Sequence, residues 1–283
     1  MNDFSSWTGR EEQRGDRLDP ALAARWLATF DLAAQVTGAM PQGIHFCLCT
    51  PDAPTAALGA DGHPARDETR CSFLPPVPLP RRMWAASDIA FLSPIVVGAA
   101  VERTSRITSI APKSGKSGEM VFVEVAHETR ADGVAAVREV QTLVYRQAAD
   151  PDAPLQPPPM GGGRFSGGEW DAVREIVPGE TLLFRFSALT FNTHRIHYDA
   201  PYARDEERYR GLVVHGPLMA SLLLQMAGDV LGEQALRRFA FRAMSPAIAG
   251  EPLHLALRRA DETVELGAFA GDGRQIVAAT GAV

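Results

Sequence analysis

Lysine is almost missing from this chain of 283 residues: Lys113 and Lys116 are present among 28 basic residues, and all the others are arginine. Planar, bidentate arginine suits phosphates and carboxylates, although a bias in genomic base composition gives the same picture and is the plainer cause. A basic balance is lacking as well. With a net charge of −6, a pI near 5.7 and no run of like charges, nucleic acid is not expected as a partner. No apolar stretch reaches membrane-spanning length, and residues 1–20 are rich in Asp, Glu and Arg with no apolar core. Neither a membrane span nor a secretory signal is therefore expected, and the cytoplasm is the expected location. Cysteine is scarce and odd in number: Cys47, Cys49 and Cys71. Reduced, buried thiols are expected rather than a disulfide framework, and no second cysteine pair follows to complete a metal site.

What the chain does have is 46% hydrophobic residues, enough for a sizeable core, and a length that suggests two structural units. Residues 148–168 are crowded with proline and glycine and poor in apolar side chains, which marks a linker between units 1–147 and 169–283. The two sides echo each other. Ser-Pro-x-x-x-Gly occurs at Ser93, Pro94 and Gly98, and again at Ser245, Pro246 and Gly250. Alternating, strand-like runs follow each copy, over 101–110, 121–129 and 137–145 and over 253–258, 263–270 and 275–280. A duplicated antiparallel sheet is the economical reading.

Apolar residues four apart (Leu218, Leu222, Met226, Val230) predict a helix over 217–230, started by Pro217 and, with few charges, buried on most sides. Asp19-Pro20 opens a second predicted helix to about residue 34, with Leu22, Trp26 and Phe30 at the same spacing. Which element matches the central helix in the first half stays open between that helix and the run 44–49. Lys113 to Gly118 resembles a phosphate loop, but Ile110 stands where the earlier glycine belongs, so a hairpin turn is expected.

Residues 182–191 alternate and are read as a strand, with the polar group Asn192, Thr193, His194, Arg195, Ile196, His197, Tyr198, Asp199 at its end. Val213-Val214-His215-Gly216-Pro217 follows shortly. Together these offer what the addition of water to a conjugated acyl thioester needs. An imidazole can serve as base, an amide or carboxylate can hold the water, and N–H donors at a helix start can receive the enolate oxygen. Gly216 suits the last role because no side chain blocks approach, and one such donor typically contributes about 3 kcal/mol to the barrier. The competing metal reading, His194 and His197 with Asp199, is weaker, since non-helical spacing of three does not aim both rings at one point.

These residues resemble those of the MaoC-like, R-specific enoyl-CoA hydratases, with Asn192 and His197 on the family's Asp and His places and Gly216 on its thioester-binding place. An amide cannot exchange a proton, so the acid role falls to His197 alone, to His194 or to Asp199. The resemblance implies an α+β double hot-dog fold, two tandem antiparallel sheets each wrapping a helix, with a degenerate first half shaping the acyl pocket and a catalytic second half. Phe73 to Ala85, with Gly62-His63-Pro64 before it, is similar to a narrower subgroup: mesaconyl-C4-CoA (3-methylfumaryl-CoA) hydratases, itaconyl-CoA hydratases and mitochondrial fatty-acid-synthesis dehydratases. Within it a chain with no targeting segment fits the dicarboxylyl-CoA hydratases, whose product would be citramalyl-CoA. A buried carboxylate wants an arginine fork, and Arg81, Arg82 and Arg195 are the candidates, with Trp84 and His215 completing the substrate-binding set. No cofactor or metal is implied beyond the CoA of the substrate. Monomer and homodimer of the double unit are both compatible. The alternatives are a straight-chain 3-hydroxyacyl-thioester dehydratase and a non-catalytic acyl-CoA binding module.

Overall fold

The computed structural model describes residues 4–33, 37–65, 72–115 and 118–283; Cys71, Lys116 and the far end of the first predicted helix lie outside them. Among the described residues ten strands form one antiparallel sheet. In the first half are β1 (Glu11–Arg17), α1 (Pro20–Thr29), β2 (Arg81–Phe91), β3 (Ala100–Gly115), β4 (Gly118–Ala131) and β5 (Val134–Arg146). The second half holds β6 (Ala172–Ile176), α2 (Glu180–Thr190), α3 (Ala200–Asp205), α4 (Gly216–Leu231), β7 (Arg238–Ala243), β8 (Leu253–Ala260), β9 (Thr263–Ala270) and β10 (Gln275–Ala282). The strand order, β1-β3-β4-β5-β2-β7-β10-β9-β8-β6, reads the same connectivity outward from a central seam. There β2 pairs with β7, Asp88 opposite Ala240.

The repeated hexapeptide is the hinge of this duplication. After β2 and after β7, two successive amides (Leu92 and Ser93; Met244 and Ser245) donate to one carbonyl, that of Ala136 or of Ile276. Gly98 and Gly250 then turn the chain at φ +95° and +81°, a backbone region that glycine enters without steric cost. Further pairs match: Met40 N–H to Ile95 C=O against Val214 N–H to Ala247 C=O. By this correspondence α4 is matched by a short 3-10 turn, Ile44–Cys47, while α1 matches α2. The run 44–49 therefore takes the central place in the first half.

Two elements differ from their sequence reading. Residues 182–191 are a helix, not a strand: Gly179 precedes its first turn, Leu183, Phe186, Leu189 and Thr190 form the buried face, and Phe191 at φ 48° ends it. The alternation of Leu182, Phe184 and Phe186 is coincidental, since Phe184 is 67% exposed. The first helix stops at Thr29, capped at its start by Asp19, whose carboxylate accepts from the Ala21 and Leu22 amides. As predicted, α4 is wrapped by the sheet, with every residue from Pro217 through Ala227 buried. No helix among the described residues is long and apolar enough to cross a membrane. The proline-rich segment between the halves is fastened to the second half, Phe165 N–H to Gly271 C=O and the guanidinium of Arg208 to Ala153 C=O.

Candidate active site

Helix α2 delivers the polar segment to the mouth of α4. Beyond Phe191, the Asn192 side-chain oxygen accepts from the His194 amide at 3.0 Å, a local turn that sets the loop's direction. A 3-10 turn over Arg195–His197 then brings the His197 ring to the backbone leading into α4. Its Nδ1 donates to the Val213 carbonyl at 2.7 Å, which leaves Nε2 as the basic nitrogen. His215 stacks on His197 at 3.6 Å between centroids, and its own Nε2 is 2.8 Å from Ser187 Oγ on α2. His215 Nδ1 has no hydrogen-bond partner among the described residues.

Burial keeps these rings neutral. It pushes His197 down to about 4, against the opposing hydrogen bond to Val213. It pushes His194 and His215 down further, helped for His194 by His63, His197, Arg82 and Arg81 and for His215 by His197 and His194. A neutral His197 with a fixed tautomer is a base ready for a water proton.

His197 and Gly216 border the same cleft, about 1580 Å³ in volume, together with Asn192, His194, Arg82 and Trp84. Gly216 is the first residue of α4, and its amide is among the helix's unpaired donors. A Cβ added there would meet only the Trp84 carbonyl, at 3.8 Å. The protein itself therefore tolerates alanine, and the space it would fill belongs to the cleft. Gly216→Ala is expected to leave the melting temperature unchanged while kcat/KM for an enoyl thioester falls about 100-fold; steady-state kinetics beside calorimetry checks this.

The first half completes the site from two places. Strand β2 carries Arg81, Arg82 and Trp84 to the cleft. Trp84 stands at a bulge, its indole donating to Ser87 Oγ at 2.8 Å, packed between Phe46 and Phe241. Arg81 is committed: it is ion-paired with buried Glu207 and lies over Tyr209, so it is a poor candidate for a substrate carboxylate. Arg82 makes no hydrogen bond to another described residue, and its charge acts on Asp61 and His194. The loop over 59–65 brings Asp61 and His63, which the sequence reading did not include among the site residues. Only the Gly62-His63-Pro64 tripeptide drew notice there.

Two further candidates fall away from the cleft. Asp199 accepts two hydrogen bonds from Arg195, at 3.0 and 2.7 Å, and caps α3 through the Tyr202 amide. Arg195 is held by that pair, by the Ala60 carbonyl and by the Tyr202 ring. Their spacing of four makes them each other's partner, so neither serves the acid role nor the substrate carboxylate. His194 and His197 stand perpendicular, 5.4 Å between centroids, without Asp199 beside them. Metal-ligand geometry arises instead at Asp61, His63 and His194, whose ligand atoms lie within 4.8 Å of one another.

Residues 43–249 match the family described as hydroxyacyl-thioester dehydratase type 2. The chain belongs to this family. It is 38% identical to the mesaconyl-C(4)-CoA hydratase of Chloroflexus aurantiacus, over 98% of this chain and 97% of that one. It is 25% identical to the mitochondrial hydroxyacyl-thioester dehydratase type 2 of Schizosaccharomyces pombe, over 86% and 85%. A Mycobacterium tuberculosis protein described as having a double hotdog fold superposes with a TM-score of 0.58 at 14% identity, covering 97% of this chain and 96% of that one. This member of the family is accordingly a double hot-dog hydro-lyase of the hydratase and dehydratase type.

Proposed function

We propose that the chain reversibly hydrates a short, branched dicarboxylyl-CoA thioester, mesaconyl-C4-CoA or itaconyl-CoA, to citramalyl-CoA. The name of the 38% identical relative supports this substrate class, and the observation that carries it is Arg82. In a mesaconyl-type ester the carboxylate sits on the very carbon that receives the hydroxyl, so its partner has to stand beside the catalytic base rather than deep in an acyl tunnel. Arg82 borders the cleft with His194 and His197, carries no hydrogen bond within the described residues, and offers the fork that a carboxylate wants. Water held near Asn192 loses a proton to His197 Nε2 as its oxygen bonds the β-carbon. In the mesaconyl-C4 ester, whose double bond is conjugated with the thioester, the electron pair moves to the thioester oxygen, which the Gly216 amide and the α4 dipole receive; itaconyl-CoA, whose double bond is not so conjugated, does not take this step. Water, base, acid and N–H donors suffice for this chemistry, so no redox cofactor or metal is invoked. One chain supplies both halves of the site, and we place the reaction in the cytoplasm.

Dehydration of straight-chain 3-hydroxyacyl thioesters is the second reading, favoured by the family description and by a cleft of about 1580 Å³. Arg82→Gln separates the two. Loss of about 100-fold in kcat/KM on dicarboxylyl esters, with crotonyl-CoA turnover little changed, is expected. An equal effect on both substrate types would overturn the carboxylate reading.

A further inference from the structure

The register of the two halves allows their sheets to be compared residue by residue. In the second half Leu257, Leu266 and Ala279 form a row across β8, β9 and β10, with Leu255 on β8 and Phe239 on β7 in flanking places. All five are buried in the core that α4 shares. In the first half the same row is Ser105, His127 and Glu139 across β3, β4 and β5, and the flanking places hold Arg103 and Ser87. Five apolar side chains are thus answered by five polar ones.

The central elements account for the exchange. α4 has 16 residues, whereas its counterpart over Ile44–Cys47 has 4, too few to lie across this part of the first sheet. Arg103, Ser105, His127 and Glu139 line the cleft instead, together with His45 of the short turn. Bonds within the set hold it in place. Ser87 Oγ donates to Glu139 Oε1 at 2.5 Å, His127 Nδ1 lies 2.8 Å from Ser105 Oγ, and the Arg103 guanidinium donates to the Leu48 and Cys49 carbonyls. Two polar atoms are left over: Arg103 Nε, and His45 Nε2 at 3.9 Å from Glu139 Oε2. Neither has a hydrogen-bond partner among the described residues, and His45 is only 5% exposed. Trp84 touches both regions, its indole on Ser87 Oγ and its carbonyl next to the place of a Cβ on Gly216.

We propose that this polar floor sets acyl specificity: Arg103, His127 and Glu139, with His45, accept a short or polar acyl end and refuse an alkyl tail. The proposal rests on the hydratase reading above, which puts the thioester at Gly216. The CoA arm with its phosphates has to leave through the open mouth of the cleft, so the enclosed end falls to the acyl group. A mesaconyl-type acyl group ends at its own carboxylate and methyl and leaves the floor to water. A tail of eight carbons would lie against Glu139, Arg103 and the two imidazoles and strip them of water while offering no partner, which weakens binding by about tenfold for each polar group left unpaired. The cleft has the volume for such a tail, and its lining rejects it.

The experiment measures kcat/KM of the full chain on trans-2-enoyl-CoA esters of four, six and eight carbons, and calorimetric binding of butyryl-CoA and octanoyl-CoA. From four to eight carbons kcat/KM is expected to fall by about 100-fold or more, and octanoyl-CoA to bind about tenfold more weakly than butyryl-CoA. The triple variant Arg103→Leu, His127→Leu, Glu139→Ala copies the second half and removes both charges of the pocket together. It is expected to raise the ratio of eight-carbon to four-carbon kcat/KM by about tenfold or more, with its fold checked by circular dichroism. A folded triple variant that keeps the parent's ratio overturns the proposal. So does a parent that binds octanoyl-CoA as tightly as butyryl-CoA, whether or not the variant folds. If the parent hydrates no enoyl ester at all, the hydratase reading falls, and the binding comparison alone decides for or against the polar floor.

Discussion

His197→Ala should lower turnover by about three orders of magnitude while the acyl-CoA ester still binds. The ring has a fixed tautomer with its basic nitrogen left over: its Nδ1 is spent on the Val213 carbonyl, and His215 lies flat against it. Removing it takes away the base yet leaves the Gly216 amide and the rest of the cleft lining intact, so kcat should fall with little change in dissociation constant. Alanine also opens a void beside His215, a buried ring whose Nδ1 has no partner among the described residues. His197→Gln, which fills that space, is the companion variant and should show the same loss. Stopped-flow or coupled assays at saturating ester, with calorimetric binding of the unreactive saturated ester, check both halves of the expectation. Undiminished turnover in both variants would remove His197 from the chemistry.

The strands that follow each hexapeptide were readable because they alternate, and the duplication because Gly98 and Gly250 occupy the same positive-φ turn. Four strands were not. β1 and β6 are edge strands, short and charged as unpaired edges tend to be, so Glu11–Arg17 and Ala172–Ile176 carry little apolar signal. β2 and β7 form the seam, and β2 follows a proline-rich stretch with a mostly half-buried face pattern, which hides the period of two. Helix α2 was misread because Leu182, Phe184 and Phe186 happen to alternate, although Leu183, Phe186 and Thr190 are what the core uses.

At the site the same contrast holds. Asn192, His194, His197 and Gly216 come from one stretch and could be read together. Asp61 and His63 arrive from far away through contacts to backbone atoms, Thr193 to Gly62 and Arg195 to Asp61, and such contacts constrain no residue type except the glycine. The Arg195 and Asp199 pair was assigned to chemistry although its spacing of four is that of an ordinary local ion pair.

Mild acid should unfold this protein, with the melting temperature dropping most steeply between about pH 6.5 and 5. Five of the seven histidines (His45, His127, His194, His197 and His215) are held below the ordinary imidazole range, burial being the main cause in each. His45 and His127 are pushed to about 3 and His197 to about 4. The unfolded chain takes up a proton at each as the pH falls through about 6.5, and the fold does not. Their contribution to stability is therefore present above that pH and lost below it, at about 1.4 kcal/mol per group for each pH unit. One buried acid works the other way. Glu139, beside Ser87 and near His45 and Arg103, is pushed up to about 7 by burial against the Ser87 hydrogen bond and the Arg103 charge. Its contribution is complete at low pH and lost as the pH rises through about 7, so it offsets one histidine of the five. Several kcal/mol per pH unit remain, comparable with the whole stability of a typical domain, about 5–15 kcal/mol. Scanning calorimetry from pH 8 to 5 measures the slope, and His45→Asn with His127→Asn, remote from His197 in sequence and on the first half, should flatten it. A melting temperature level across that range would mean that the rings accept protons inside the folded protein, and the dry packing that keeps His197 unprotonated would have to be given up as well.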